Sequence, residues 1–112
     1  MKISILLPYK ENFSPIYPGA VSLFVRDTVR LSKYRNNITI YGNTDLKKKF
    51  NFKYFNIPLS KIRFQSKSKV YVSEFLKLEK KNPSNLIEIH NRPNYLEELV
   101  SNLNHRNFIL YF

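Results

Sequence analysis

Cysteine and tryptophan are absent from this 112-residue chain, glycine occurs only at Gly19 and Gly42, and alanine only at Ala20. Without cysteine there is no disulfide and no thiolate-ligated metal. Two glycines cannot spell the three-glycine G-x-G-x-x-G dinucleotide fingerprint, and Gly19 and Gly42 stand too far apart for the G-x-x-x-x-G-K of a P-loop. No apolar run reaches the roughly 18 residues that mark a transmembrane helix. The first apolar run is cut short by Pro8-Tyr9-Lys10-Glu11 and lacks a small-residue cleavage site, so it reads as a strand, not a signal peptide. The length allows one domain with one core, and a cytoplasmic setting fits these absences.

Acidic residues are also scarce, 8 against 19 Lys and Arg, for a net charge of +11. Such a charge suits nucleic acid, anionic lipid or phosphorylated ligands. The richness in Lys, Asn, Ile, Phe and Tyr equally matches the bias of AT-rich coding DNA. The charge alone leaves both explanations open.

What remains is a regular alternation. "KISILL" (2–7) is a short apolar strand ending at Pro8. A proline-rich loop leads to Gly19. "AVSLFVRDTVRLSKY" then repeats Val21, Val25 and Val29 at four-residue spacing, with Phe24 and Leu31 on the same broad face, an amphipathic helix broken by Asn36-Asn37. "NITIYGN" (37–43) is a β-branched strand, and Asp45 to Lys49 a turn or short helix. "FKYFNIPL" (52–59) is a third strand stopped by Pro58, and 60–69 reads as basic loop. "VYVSEFLKLEKK" (70–81) places Val72, Phe75, Leu76 and Glu79 at helical spacing. "NLIEIH" (85–90) is a strand. In "NYLEELVSNLN" (94–104), Leu96, Leu99, Val100 and Leu103 form a helical stripe, with Asn94 and Glu97 spaced as a capping box. "NFILYF" (107–112) is a fifth strand.

Strands alternating with helices predict an α/β fold, a Rossmann-like, doubly wound parallel sheet of order 3-2-1-4-5 with helices on both faces. The chain reads as a single domain over 1–112. The strongly apolar last strand suggests truncation after it, the rest being supplied by a longer protein or a partner chain.

In such sheets ligands bind at the carboxyl ends of the strands. That singles out the loops 8–19, 42–45 and 90–94. Gly19 opens a helix, whose free N–H groups suit an anion. His90, Asn91 and Arg92 form a polar corner after the fourth strand, braced by Pro93. His90 exchanges hydrogen bonds near neutral pH, Asn91 both donates and accepts, and Arg92 pairs bidentately with carboxylate or phosphate. Glu88 reads as a paired or edge carboxylate, and His105 as structural. No metal-ligand spacing and no nucleophile elbow occurs. In segment 47–69, Lys47, Lys48, Lys49, Lys53, Lys61, Arg63, Lys67 and Lys69 interleave with Phe50, Phe52, Tyr54, Phe55 and Phe64. The mixture suits a membrane surface, single-stranded nucleic acid or a solvated face over buried aromatics.

"MKISILLP", "PGAVSLFVRDTVRLSKY", "NITIYGN" and "LIEIHNRPNY" together resemble the N-terminal domain of family-4-like, GT-B-fold glycosyltransferases. The resemblance covers the element order of the whole chain. Its specific parts are the glycine before the first helix and the "HNRP" corner. It implies the acceptor-side half of a retaining enzyme that moves a sugar from a nucleotide-sugar to a glycan or lipid-linked acceptor. No bound cofactor or metal is implied, since the nucleotide-sugar is a co-substrate. His90, Asn91 and Arg92 would line the acceptor cleft, and Gly19 and Ala20 would approach the donor phosphates or sugar. Many relatives carry a second glycine where this chain has Ala20. Most donor contacts would come from a second domain, so these residues alone are expected to be inactive. Segment 47–69 would touch the inner face of a membrane. The alternative is a small basic module that binds nucleic acid.

Overall fold

A computed structural model describes residues 1–59, 65–104 and 107–112. Five strands, β1 (Ile3–Leu6), β2 (Ile38–Gly42), β3 (Tyr54–Asn56), β4 (Leu86–His90) and β5 (Asn107–Tyr111), alternate with three helices. The helices are α1 (Ala20–Leu31), α2 (Lys67–Lys81) and α3 (Pro93–Asn102). All pairings are parallel and the order is β3-β2-β1-β4-β5, the doubly wound sheet that the alternation predicts.

Two apolar layers sandwich the sheet because successive strand side chains point to opposite faces. Ile3, Ile5 and Leu7 pack with Ile38, Ile40 and with Val25 and Val29 of α1. Leu6, Ile87 and Ile89 pack on the other face with Tyr71 and Phe75 of α2 and Tyr95 and Leu99 of α3. The valine spacing of α1 is therefore its buried stripe, whereas Phe24 and Leu31, expected on the same face, are exposed because they sit at its margins. Phe13, fully buried, pins the loop after β1 into the α1 layer: it stacks on Tyr54 at 5.6 Å and meets Phe50 edge-on at 5.1 Å.

Two polar devices are buried with the core. The Tyr71 hydroxyl donates to the Leu7 carbonyl at 2.6 Å, tying α2 to the end of β1. Glu79, only 1% exposed, accepts from the Ser84 backbone N–H at 2.9 Å and from the hydroxyls of Ser84 and Ser4. The helical spacing found Glu79 on the inner stripe of α2, but not the two serines that make a carboxylate tolerable there.

Two helix starts differ from expectation. α2 begins at Lys67, inside the stretch assigned to loop, because the Ser66 side chain caps it by accepting from the Lys69 N–H. The polar "KSK" turn hides that start from a hydrophobic pattern. The Asn94–Glu97 capping box does not form. Arg92 is the N-cap of α3, without a side-chain cap bond, and Pro93 occupies the first turn. Proline's fixed φ and missing N–H suit that position, so the helix starts ahead of Asn94. Residues 45–49 form no helix. His105, Lys61, Arg63 and Phe64 lie outside the described residues.

Candidate functional site

The loop after β1 closes on the start of α1. Gly19 is the N-cap of α1, and the Glu11 carboxylate lies directly against it. Glu11 Oε2 accepts from the Ser22 N–H at 3.0 Å. A carboxylate there satisfies a free N–H and complements the positive helix end. The anion position beside Gly19 is thus held by the chain's own side chain. A Cβ at Gly19 would fall 1.8 Å from Glu11 Oε2. Gly19→Ala should therefore swing Glu11 away and lower stability by about 1 kcal/mol, the worth of a lost cap. Urea melts check this, and Gly19→Ala combined with Glu11→Gln should be no worse than either change alone.

At the far end of β4 the period of two puts Glu88 and His90 on the α1 face. His90 is 3% exposed, and its Nε2 lies 2.7 Å from Glu88 Oε2. An ionised carboxylate can only accept, so with Glu88 charged the Nε2 carries a proton. The neighbouring strand adds Tyr111, in register with His90, its ring stacked on the imidazole at 4.8 Å and 7°. Phe24 of α1 meets both rings, 5.7 Å from His90 and 5.6 Å from Tyr111. The Glu88 carboxylate and, second, burial push the Tyr111 phenol above its ordinary pKa.

Asn91 turns the chain after this pair with a left-handed φ of 54°. Asparagine tolerates that conformation better than most residues. Its N–H donates to the Tyr111 carbonyl at 2.7 Å, so the corner is locked to the end of β5.

These elements enclose a cleft of about 260 Å³. His90 and Asn91 supply its polar wall; Phe24, Tyr111 and Phe112 supply aromatic faces; Ala20 and Val21 supply the start of α1. The fold therefore brings together three of the residues singled out from the sequence: Ala20, His90 and Asn91. Arg92 is exposed, and its guanidinium turns back to donate to the Asn91 carbonyl at 2.7 Å. Neither it nor Gly19 lines the cleft. A second concavity of about 300 Å³ lies between the loops after β1 and β2, lined by Lys10, Asn12, Asn43 and Asp45 among others.

Sequence reading missed Phe24 and Tyr111, and treated Glu88 apart from His90. The i, i+2 spacing of Glu88 and His90 within a strand was the available signal. Tyr111 had none, since strand register is a tertiary fact. The aromatics of 50–54 turn inward: Phe50, Phe52 and Tyr54 pack around Phe13, while Phe55 leans on Tyr41 on the other face.

Comparison of the chain with protein-family models, with curated proteins and with solved structures finds no match. Among the described residues, no helix is long and apolar enough to cross a membrane, and no three His, Asp or Glu side chains gather as metal ligands.

Proposed function

We propose that this domain binds the hydroxyl-rich acceptor of a glycosyl transfer in the cleft at the ends of β4 and β5, as the acceptor-side half of a GT-B-type glycosyltransferase. The observation that carries the reading is the pairing of aromatic faces with hydrogen-bonding side chains in one small cleft at the carboxyl edge of a parallel sheet. Sugars present apolar C–H faces and a ring of hydroxyls. An aromatic wall takes the first and an imidazole and an amide take the second. Glu88 holds the His90 ring in one orientation, as a supporting partner does in a preorganised site. The cleft has an apolar wall and, among the described residues, no lysine or arginine lining it, which favours a neutral glycan portion over a phosphate. Donor binding and the transfer step belong, on this reading, to a second domain or partner chain.

Saturation-transfer NMR with a panel of methyl glycosides tests it. At least one should bind in competition with its own α or β anomer. Tyr111→Ala should weaken that binding about tenfold, equivalent to about 1.4 kcal/mol. No saturable glycoside binding, or binding indifferent to Tyr111→Ala and Asn91→Ala, would remove the assignment.

A further inference from the structure

A larger cleft lies at the opposite, amino-terminal end of the sheet, and its chemistry differs. It has a volume of about 580 Å³ and runs between the second half of α1, the turn Arg35–Asn37 and the approach to β3. Arg26 and Arg30 enter it from one side of α1, four residues apart and so on one helical face. Arg35 and Lys53 close it from the sheet side. Among the described residues no acidic side chain lines it; Asn36 and Asn51 supply amides.

The charge there is poorly compensated. Arg26 and Arg30 share a single carboxylate, Asp27, at 2.9 and 3.7 Å. Arg35 and Lys53 have no acidic partner among the described residues. Three arginines and a lysine therefore line one concavity with a single carboxylate beside them, a local excess of positive charge that attracts an anion. Arg26 is also positioned by packing: its guanidinium lies 5.3 Å from the Phe50 ring centre and its Nε donates to Asp27 at 2.9 Å. A positioned guanidinium loses less freedom on gripping a ligand than a free one.

We propose that this cleft is a phosphate-binding site, taking a ligand that carries a diphosphate or a phosphomonoester dianion. Arginine forks match phosphate oxygens bidentately, and the amides of Asn36 and Asn51 can donate to the remaining oxygens. The concave shape favours a compact phosphoryl group over a duplex, which needs a groove-spanning element. Phe52, half-buried at the cleft wall, offers an apolar surface beside the phosphate subsite for the rest of the ligand. The site stands apart from the acceptor cleft and does not depend on the glycosyl-transfer reading.

The test is calorimetric titration of the protein with inorganic pyrophosphate at about 0.1 M salt, where the Debye length is about 10 Å. A vesicle sedimentation arm uses phosphatidylcholine with and without phosphatidic acid. Arg26→Gln/Arg30→Gln/Arg35→Gln should weaken binding more than tenfold, beyond about 1.4 kcal/mol. Arg35→Gln/Lys53→Gln touches two exposed side chains and keeps the test sound if the triple variant unfolds. Lys67→Gln/Lys69→Gln/Lys80→Gln removes as much charge from α2, on the other face, and should change binding by less than about twofold because general charge attraction is screened and diffuse. Pyrophosphate binding with this pattern supports a soluble ligand, and phosphatidic-acid recruitment with the same pattern supports a lipid headgroup. Binding of neither probe, or equal loss in the α2 variant, overturns the proposal. Salt-sensitive binding of a thymidine oligonucleotide without pyrophosphate or phosphatidic-acid binding also overturns it, in favour of a nucleic-acid surface.

Discussion

Phe13→Ala should lower the unfolding free energy by about 3–5 kcal/mol, the range for truncating a fully buried aromatic ring. A domain of this size has only about 5–15 kcal/mol to lose. Phe13 comes from a loop, yet it is fully buried and contacts three aromatic rings from the segment ahead of and within β3. Its neighbours differ in sequence by nearly forty positions, so no local rearrangement can refill the space. The effect should reach beyond stability. The same loop carries Glu11 to the start of α1 and brings Gly19 to Asn12, whose carbonyl accepts from the Gly19 N–H at 3.4 Å. Chemical denaturation with fluorescence or circular dichroism measures the first effect. Amide exchange at residues 9–23 measures the second, which should speed up more than exchange in α2. A loss under about 1 kcal/mol would mean that the ring is not packed as described.

Glu79→Ala should cost about 2–3 kcal/mol or more, because it strands buried hydrogen-bond donors that have no access to water. Glu79 joins α2 to the Ser84 turn and to Ser4 in the central strand. Removing the carboxylate leaves the Ser84 N–H without its acceptor, in a residue only 3% exposed. The reverse deletion is milder. Ser4→Ala takes away one donor and leaves the carboxylate its two bonds from Ser84, so about 1 kcal/mol is expected. Equilibrium melts of both variants check the asymmetry. Equal costs would show that the two bonds from Ser84 add nothing to the one from Ser4.

The candidate cleft was partly legible. His90 and Asn91 were marked by their position after an apolar strand, whereas Ala20 entered only through the resemblance, as a donor-side residue. Arg92 carried the same signal yet turns outward to the Asn91 carbonyl, since the left-handed turn at Asn91 and Pro93 at the start of α3 decide where residue 92 points. Local pattern does not contain that geometry. The capping box at Asn94 and Glu97 was a correct spacing in the wrong frame, because Pro93 had already started the helix. The start of α2 was missed for the opposite reason: its first turn is held by a serine cap, not by an apolar stripe.

By itself, the sequence determined the alternation of strands and helices, the buried stripes and the parallel, doubly wound order. Those follow from side-chain periods of two and 3.6 and from the right-handed crossover, which are properties of the local chain. Only the tertiary structure decided which residues share a wall. Tyr111 reaches His90 because β5 pairs with β4 in one particular register, and Arg35 and Lys53 line one cleft with Arg26 and Arg30 because β2 and β3 are adjacent below α1. Register and adjacency are fixed by packing between distant segments, so the side chains that build each cleft carry no common mark along the chain.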